Sequence, residues 1–181
     1  MSQGGYLMRY DSETGDKRFI RPTHPDSARI RFNWDAAIAI DPSDGTIYYG
    51  SQFVHRSRDR GETWEIISPD LTTNDPAKQN QEDSGGLSMD NSGAENHTTI
   101  FTIAESPLDE NIIWVGTDDG NVQVTRDGGK TWTNTVANIS GLPANTWVYH
   151  IEASVHDKGT AYAVFDGHTR GDMAPYAYKT E

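Results

Sequence analysis

The 181 residues contain no cysteine, which excludes disulfide staples, thiol nucleophiles and thiolate metal sites and leaves the compartment open. Long apolar runs are missing too. Nothing approaches the roughly 18 consecutive apolar residues of a membrane-spanning helix, and only 34% of the chain is hydrophobic. Positive charge is scarce: 15 Lys and Arg stand against 27 Asp and Glu, a net charge of −12. The basic residues form no cluster, so nucleic acid is not expected as a partner. The first residues, Met1-Ser2-Gln3-Gly4-Gly5, lack the basic and apolar stretches of a secretory signal peptide. The six histidines form no His-x-x-x-His or Glu-x-x-His pair, so no metal site is expected. Gly85-Gly86 and Gly128-Gly129 open no helix after a strand, so they read as turns rather than phosphate loops, and no cofactor is expected.

What is present is aromatic. Mean hydropathy is −0.72, yet Phe, Trp and Tyr make up 10% of the chain, with five tryptophans and eight tyrosines. That mix indicates a folded protein built of thin, polar-edged elements rather than a disordered one. Apolar residues rarely recur at helical spacing. They come in short runs rich in β-branched and aromatic residues, such as 46–50, 98–104, 147–153 and 160–165, bounded by Gly, Pro, Asn and Asp. Many short strands at near-regular spacing predict an all-β sandwich, barrel or propeller. Residues 6–10 and 17–21 flank Asp11-Ser12-Glu13-Thr14-Gly15, a hairpin turn. The polar stretch 69–96 is too long for an ordinary connection. It reads as a functional loop or a solvated insertion, with one helical turn expected within 76–82.

An internal repeat narrows the choice. Ser57-Arg58-Asp59-Arg60-Gly61-Glu62-Thr63-Trp64 matches Thr125-Arg126-Asp127-Gly128-Gly129-Lys130-Thr131-Trp132. The upstream flanks match as well: Asp41-Pro42 and Ile47-Tyr48-Tyr49-Gly50 against Ser106-Pro107 and Ile113-Trp114-Val115-Gly116. A third copy starts at Ala153-Ser154 and Thr160-Ala161-Tyr162-Ala163, and Thr180 falls where Ser57 and Thr125 sit. The pattern has a mechanical reading. The Asp carboxylate can accept hydrogen bonds from turn amides, the Gly allows positive φ, the hydroxyls bond across the turn, and the Trp ring fills the gap between adjacent sheets. Ser57, Asp59, Gly61 and Trp64, with Thr125, Asp127, Gly129 and Trp132, are therefore given folding roles rather than catalytic ones.

This octapeptide, S/T-x-D-x-G-x-T-W, is similar to the Asp-box of the bacterial neuraminidase repeat, found in sialidases, xyloglucanase-type glycoside hydrolases and the sortilin-type receptor propeller. The wider sequence, notably Ser92-Gly93-Ala94-Glu95-Asn96-His97 and Val115-Gly116-Thr117-Asp118-Asp119-Gly120, resembles large bacterial proteins labelled sortilin-like or glycosyl hydrolase. The resemblance implies Asp-box β-propeller blades, about three of them in an incomplete ring, and a fragment of a longer, secreted or periplasmic parent. Residues 5–21 would be the last two strands of one blade, 34–68 a full blade, 69–97 an inserted loop, 98–136 a second full blade and 147–180 an incomplete one.

In that register, one face gathers the loops near the axis where propellers bind ligands. Glycoside hydrolysis needs two carboxyl groups roughly 5–10 Å apart and aromatics to hold sugar rings. Asp118, Glu95 and Asp35 are the candidate catalytic carboxylates; Asp118 sits in a Thr-Asp-x-Gly context that resembles the xyloglucanase-type one. Trp34, Asn96, His97, Asp119, Trp147, His150, Asp166 and His168 are the candidate ligand-binding residues. Sialidase chemistry is not expected, because the Arg-Ile-Pro motif of that family is absent. Two functions stand: a glycan- or peptide-binding and scaffolding module, or a hydrolase of neutral polysaccharide using paired acids. Open strand edges would be covered by a second copy or by flanking blades.

Overall fold

A computed structural model of the chain describes residues 4–80 and 96–180. Among these residues, thirteen strands lie in four antiparallel sheets, each made of strands consecutive in the chain. The first sheet is the hairpin β1 (Met8–Tyr10) and β2 (Lys17–Phe19). The second holds β3 (Ile38–Ile40), β4 (Ile47–Gly50), β5 (Val54–Ser57) and β6 (Glu65–Ile66). The third holds β7 (Ile100–Ser106), β8 (Asp109–Thr117), β9 (Val122–Thr125) and β10 (Thr133–Asn134). The fourth holds β11 (Trp147–Ala153), β12 (Ala161–Asp166) and β13 (Tyr176–Lys179). Helix among the described residues is limited to single 3₁₀ turns at Pro76–Lys78, Val136–Asn138 and His168–Arg170. None is long and apolar enough to cross a membrane. The all-β class read from the sequence is the observed one.

The second strand of a full sheet shows why the apolar runs look continuous. Ile112 through Thr117 of β8 are all buried, because this strand has a sheet packed against each of its two faces. Strands covered on both sides lose the in–out alternation. The uncovered hairpin β1–β2 exposes Met8, Tyr10 and Phe19 instead. Each interface between sheets has its own apolar cluster. Leu7, Ile20, Phe32 and Tyr49 join the first two sheets, Val54, Ile67, Ile100 and Val115 the middle pair, and Trp114, Val124, Val148 and Phe165 the last pair.

Two glycines set how closely the sheets approach. A Cβ on Gly50 would lie 2.7 Å from Ile100 Cγ2 of the next sheet, and one on Gly116 would lie 2.3 Å from Val148 Cγ1. Gly50 ends the second strand of its sheet, Gly116 is the last residue but one of the second strand of its own, and each faces the first strand of the following sheet.

The octapeptide turns supply the opposite contact, back to the preceding sheet. Asp59 Oδ1 accepts from the Thr63 amide at 2.8 Å and Oδ2 from the Thr63 hydroxyl at 2.6 Å. Asp127 repeats this with Thr131 at 2.9 and 2.6 Å. The Gly61 amide donates to Ser57 Oγ and the Gly129 amide to Thr125 Oγ1. Trp64 Nε1 then donates to Ile20 O at 2.7 Å, and Trp132 Nε1 to Ile67 O at 3.0 Å, each acceptor belonging to the sheet before. Gly61 and Gly129 have φ of +85° and +98° and press against those same isoleucines, so they meet a steric need as well as a conformational one.

Two predictions follow from this packing. Gly116→Ala should cost about 1–3 kcal/mol through overpacking, read as a lower urea midpoint, whereas Gly159→Ala, whose nearest neighbour is Asp157 Oδ1 at 3.5 Å, should change little. The Thr63 and Thr131 bonds hold Asp59 and Asp127 at about 2, below the ordinary 3.8. A lowered folded value means stability that is fully present above the unfolded pKa and lost as pH falls toward 2. Urea midpoints of wild type and the Asp59→Asn/Asp127→Asn double variant, taken down that acid range, should therefore converge, the variant being the less pH-sensitive.

Candidate functional site

The cleft forms where the ends of the third and fourth sheets meet the loop after the second. It has a volume of about 650 Å³. Lys78 and Asn80 come from the 3₁₀ turn and the residues after it, His97 from the approach to β7, and Asp118 from the turn after β8. Asn145 and Trp147 lead into β11, while Asp166, Thr169 and Arg170 close the far side from the end of β12 and its 3₁₀ turn. Four residues expected at a ligand face thus line one cavity: His97, Asp118, Trp147 and Asp166. Asn145 and Arg170, which strand counting puts at the same end, join them. Lys78, Asn80 and Thr169 also line it, and no local motif in the sequence marks those three.

Asp118 forms the floor. Its side chain is fully buried and takes hydrogen bonds from the Thr99 amide at 2.9 Å, the Thr99 hydroxyl and Asn33 Nδ2 at 3.0 Å. Burial pushes its pKa up, and the nearby His97 ring and the Thr99 bonds only partly oppose that. His97 Nδ1 lies 4.0 Å from Asp118 Oδ1. Asp119, next in the chain, points the other way. It is buried and accepts from the Thr73 amide at 2.7 Å, the Thr73 hydroxyl at 2.6 Å and the Thr117 hydroxyl. The tight turn closed by the Gly120 amide on Thr117 O sends the two carboxylates to different segments. Asp119 is thus engaged as a tether for the loop after the second sheet, not as a group presented to the cleft.

The other candidates separate. Asp166 accepts from the His168 amide at 2.8 Å and from its ring, and the amide bond in particular holds the Asp166 pKa low. His168 is exposed beside it. Asn96 donates to Phe32 O at 3.1 Å, fastening the strand entrance to the preceding sheet. Trp34 and Asp35 are exposed on a turn before β3, and neither lines the cleft. Their neighbour Asn33 reaches Asp118 from behind instead. His150 lies in a different groove, beside Glu152 at 3.4 Å and near Glu105 and Ile40. A register shift between Val148 and His150 interrupts the pairing of β11 with β12 between this residue and Trp147. Glu105 was not singled out from the sequence; it accepts from the Tyr48 hydroxyl at 2.9 Å, and burial lifts it to about 7. Glu95 lies outside the described residues.

The rim carries the chemistry that is free to act. Lys78 and Arg170 have no ion pair among the described residues; Arg170 donates to Ala144 O and Thr146 Oγ1, both neutral. Trp147 packs edge-on against Phe101 at 4.8 Å. Its Nε1 and His97 Nδ1 are buried without a hydrogen-bond partner among the described residues. Buried polar atoms are nearly always satisfied, so each of these two calls for a partner such as an ordered water, an ion or a ligand group.

No protein-family model matches the chain, and no curated protein matches it in sequence. Solved structures do match. A GH74 enzyme from Niastella koreensis superposes with a TM-score of 0.50 at 19% identity, covering 82% of this chain and 20% of its own. A GH74 xyloglucanase from Xanthomonas campestris gives 0.46 at 21%, covering 78% and 20%. YCF48 bound to D1 peptide gives 0.49 at 13%, covering 91% and 42%. The chain spans about a fifth of the length of these two GH74 proteins. Identities this low bear on fold alone: the sheets are blades of a β-propeller, about three in an open arc.

The floor yields a stability prediction. Asp118→Ala would leave the buried Thr99 amide and Asn33 amide without their acceptor, a loss of about 1–3 kcal/mol for each such group. Thermal denaturation should show a clearly lower Tm, whereas Asp35→Ala on the exposed turn should leave it nearly unchanged.

Proposed function

We propose that the chain is a segment of an Asp-box propeller of the sortilin-like, glycosyl-hydrolase-labelled class, and that it works as a glycan- or peptide-binding and scaffolding module. The two octapeptide turns with one shared bonding pattern support the class. The single observation that carries the binding role is the division of labour in the cleft. Its carboxylates, Asp118 and Asp166, are engaged with the protein's own donors, while Trp147 Nε1 and His97 Nδ1 have no hydrogen-bond partner among the described residues and Lys78 and Arg170 line the same cleft. An aromatic ring with a polar handle, flanked by amide, hydroxyl and cationic groups, suits a polar ligand that stacks and hydrogen-bonds.

A screen of immobilised glycans and peptides should yield a saturable ligand for the purified chain. Trp147→Phe, which removes only the indole N–H, and Lys78→Ala should each weaken that ligand by about five- to tenfold without lowering Tm. Absence of any ligand, or binding by both variants as tight as that of the wild type, would sink the reading.

A second reading keeps hydrolysis. It rests on the raised pKa of Asp118, a property of general acids, at the floor of a cavity that also holds Asp166. Reducing-end release from neutral β-glucans, abolished by Asp118→Asn in a variant that still folds, would favour hydrolysis over binding.

A further inference from the structure

Two acids from different sheets meet in the seam between the second and third. Glu105, the last residue but one of β7, accepts from the Tyr48 hydroxyl of β4 at 2.9 Å. Tyr48 is buried in the apolar cluster that joins these two sheets. Asp41, also buried, follows β3 and stands close enough to Glu105 for a carboxyl–carboxyl hydrogen bond. Its Oδ1 is held in place by the Ser43 amide at 2.7 Å. Ionised carboxylates only accept hydrogen bonds, so this contact closes only when the pair holds a proton.

The groups around the pair favour that proton. Asp44, on the same turn as Asp41, also acts on Glu105; it accepts from the Thr46 amide and hydroxyl at 2.7 and 2.9 Å and lies near Arg58. Arg56 of β5 lies near Tyr48 but pairs with Glu65 at 2.8 Å. From the fourth sheet, His150 and Glu152 of β11 line the same groove as Asp41 and Glu105, a space of about 290 Å³. They lie 3.4 Å apart and are exposed, so solvent reaches the groove. Burial, with Asp41 and Asp44 adding to it, lifts Glu105 to about 7 from the ordinary 4.5, although the Tyr48 bond opposes the rise.

From this arrangement we infer that the seam between the second and third sheets carries a proton-operated latch made of Tyr48, Glu105 and Asp41. With a proton on Glu105, the bonds run unbroken from Tyr48 on β4 across to β7 and back to Asp41 at the end of β3. Without it, the Tyr48 bond remains and two carboxylates oppose each other across the seam. The folded value of Glu105 lies above the unfolded one. The stability this group contributes is therefore fully present below about 4.5 and is lost as pH rises through about 7. The latch closes in mild acid and loosens above neutrality. It does not depend on what the ligand cleft binds.

Glu105→Gln keeps the shape and holds the latch closed at every pH, its amide oxygen accepting from Tyr48 and its amide N–H donating to Asp41. Relative to this variant, the wild type should lose stability between about pH 5 and about pH 8.5, read as a urea midpoint that falls further behind. A second readout locates the effect. The Trp132 indole N–H bonds to Ile67 O across this seam, and the Trp64 N–H bonds to Ile20 O across the preceding one. At about pH 8.5, indole hydrogen exchange at Trp132 should be at least about tenfold faster in the wild type than in the variant, with little change at Trp64. A midpoint difference that is the same at both pH values means a merely structural role and overturns the inference. Equal acceleration at the two indoles overturns it too, since the loosening would not belong to this seam. Asp41→Asn removes the repulsion from the other side and carries the same comparison should Glu105→Gln fail to fold.

Discussion

Each full sheet is tied backwards by an indole and held forwards by a glycine, and the rest of the structure depends on that pair of contacts. The Trp64 and Trp132 N–H groups reach a carbonyl of the preceding sheet, while Gly50 and Gly116 let the following innermost strand come closer than any side chain would allow. A polar bond and a steric allowance together fix spacing and orientation, which apolar burial alone does not, being non-directional. Only 34% of the chain is hydrophobic. The thin interfaces therefore lean on such specific contacts.

The same fan of sheets brings distant loops to one end. Arg31 is buried and bridges Thr98 O at 3.2 Å and Asp70 at 2.8 Å, joining the entry to the second sheet, the loop that leaves it and the entry to the third. Asp118 and Asp119 extend that frame, one toward Asn33 and Thr99 and the other toward Thr73. Asp118 also faces the cleft, whose border includes Lys78, Arg170 and His97 although the chain as a whole is strongly acidic.

Some of the site could be read from residue order. His97, Trp147, Asp166 and Asp118 come to one cavity because each lies at a strand end on the loop-bearing side, a placement that follows from counting strands. The counting failed where local geometry intervened. A register shift in β11 lies between His150 and the cleft-lining Trp147, and a tight turn splits Asp118 from Asp119. Lys78 could not be foreseen, since it sits on a 3₁₀ turn in a polar segment whose docking the one-dimensional pattern does not describe.

By itself the sequence determined the all-β class and the repeating turn, for a physical reason: strand patterning and octapeptide chemistry are local, and Asp59 and Asp127 find their partners within a few residues. The stretch after Trp132 shows the limit, because only Thr133–Asn134 pair before a helical turn begins at Val136. Tertiary structure alone decided that Asp119 turns away from the cavity and that Lys78 borders it. Those properties depend on residues 46 to 85 positions apart meeting across sheets, such as Thr73 with Asp119 and Asn33 with Asp118, and no short-range signal encodes them.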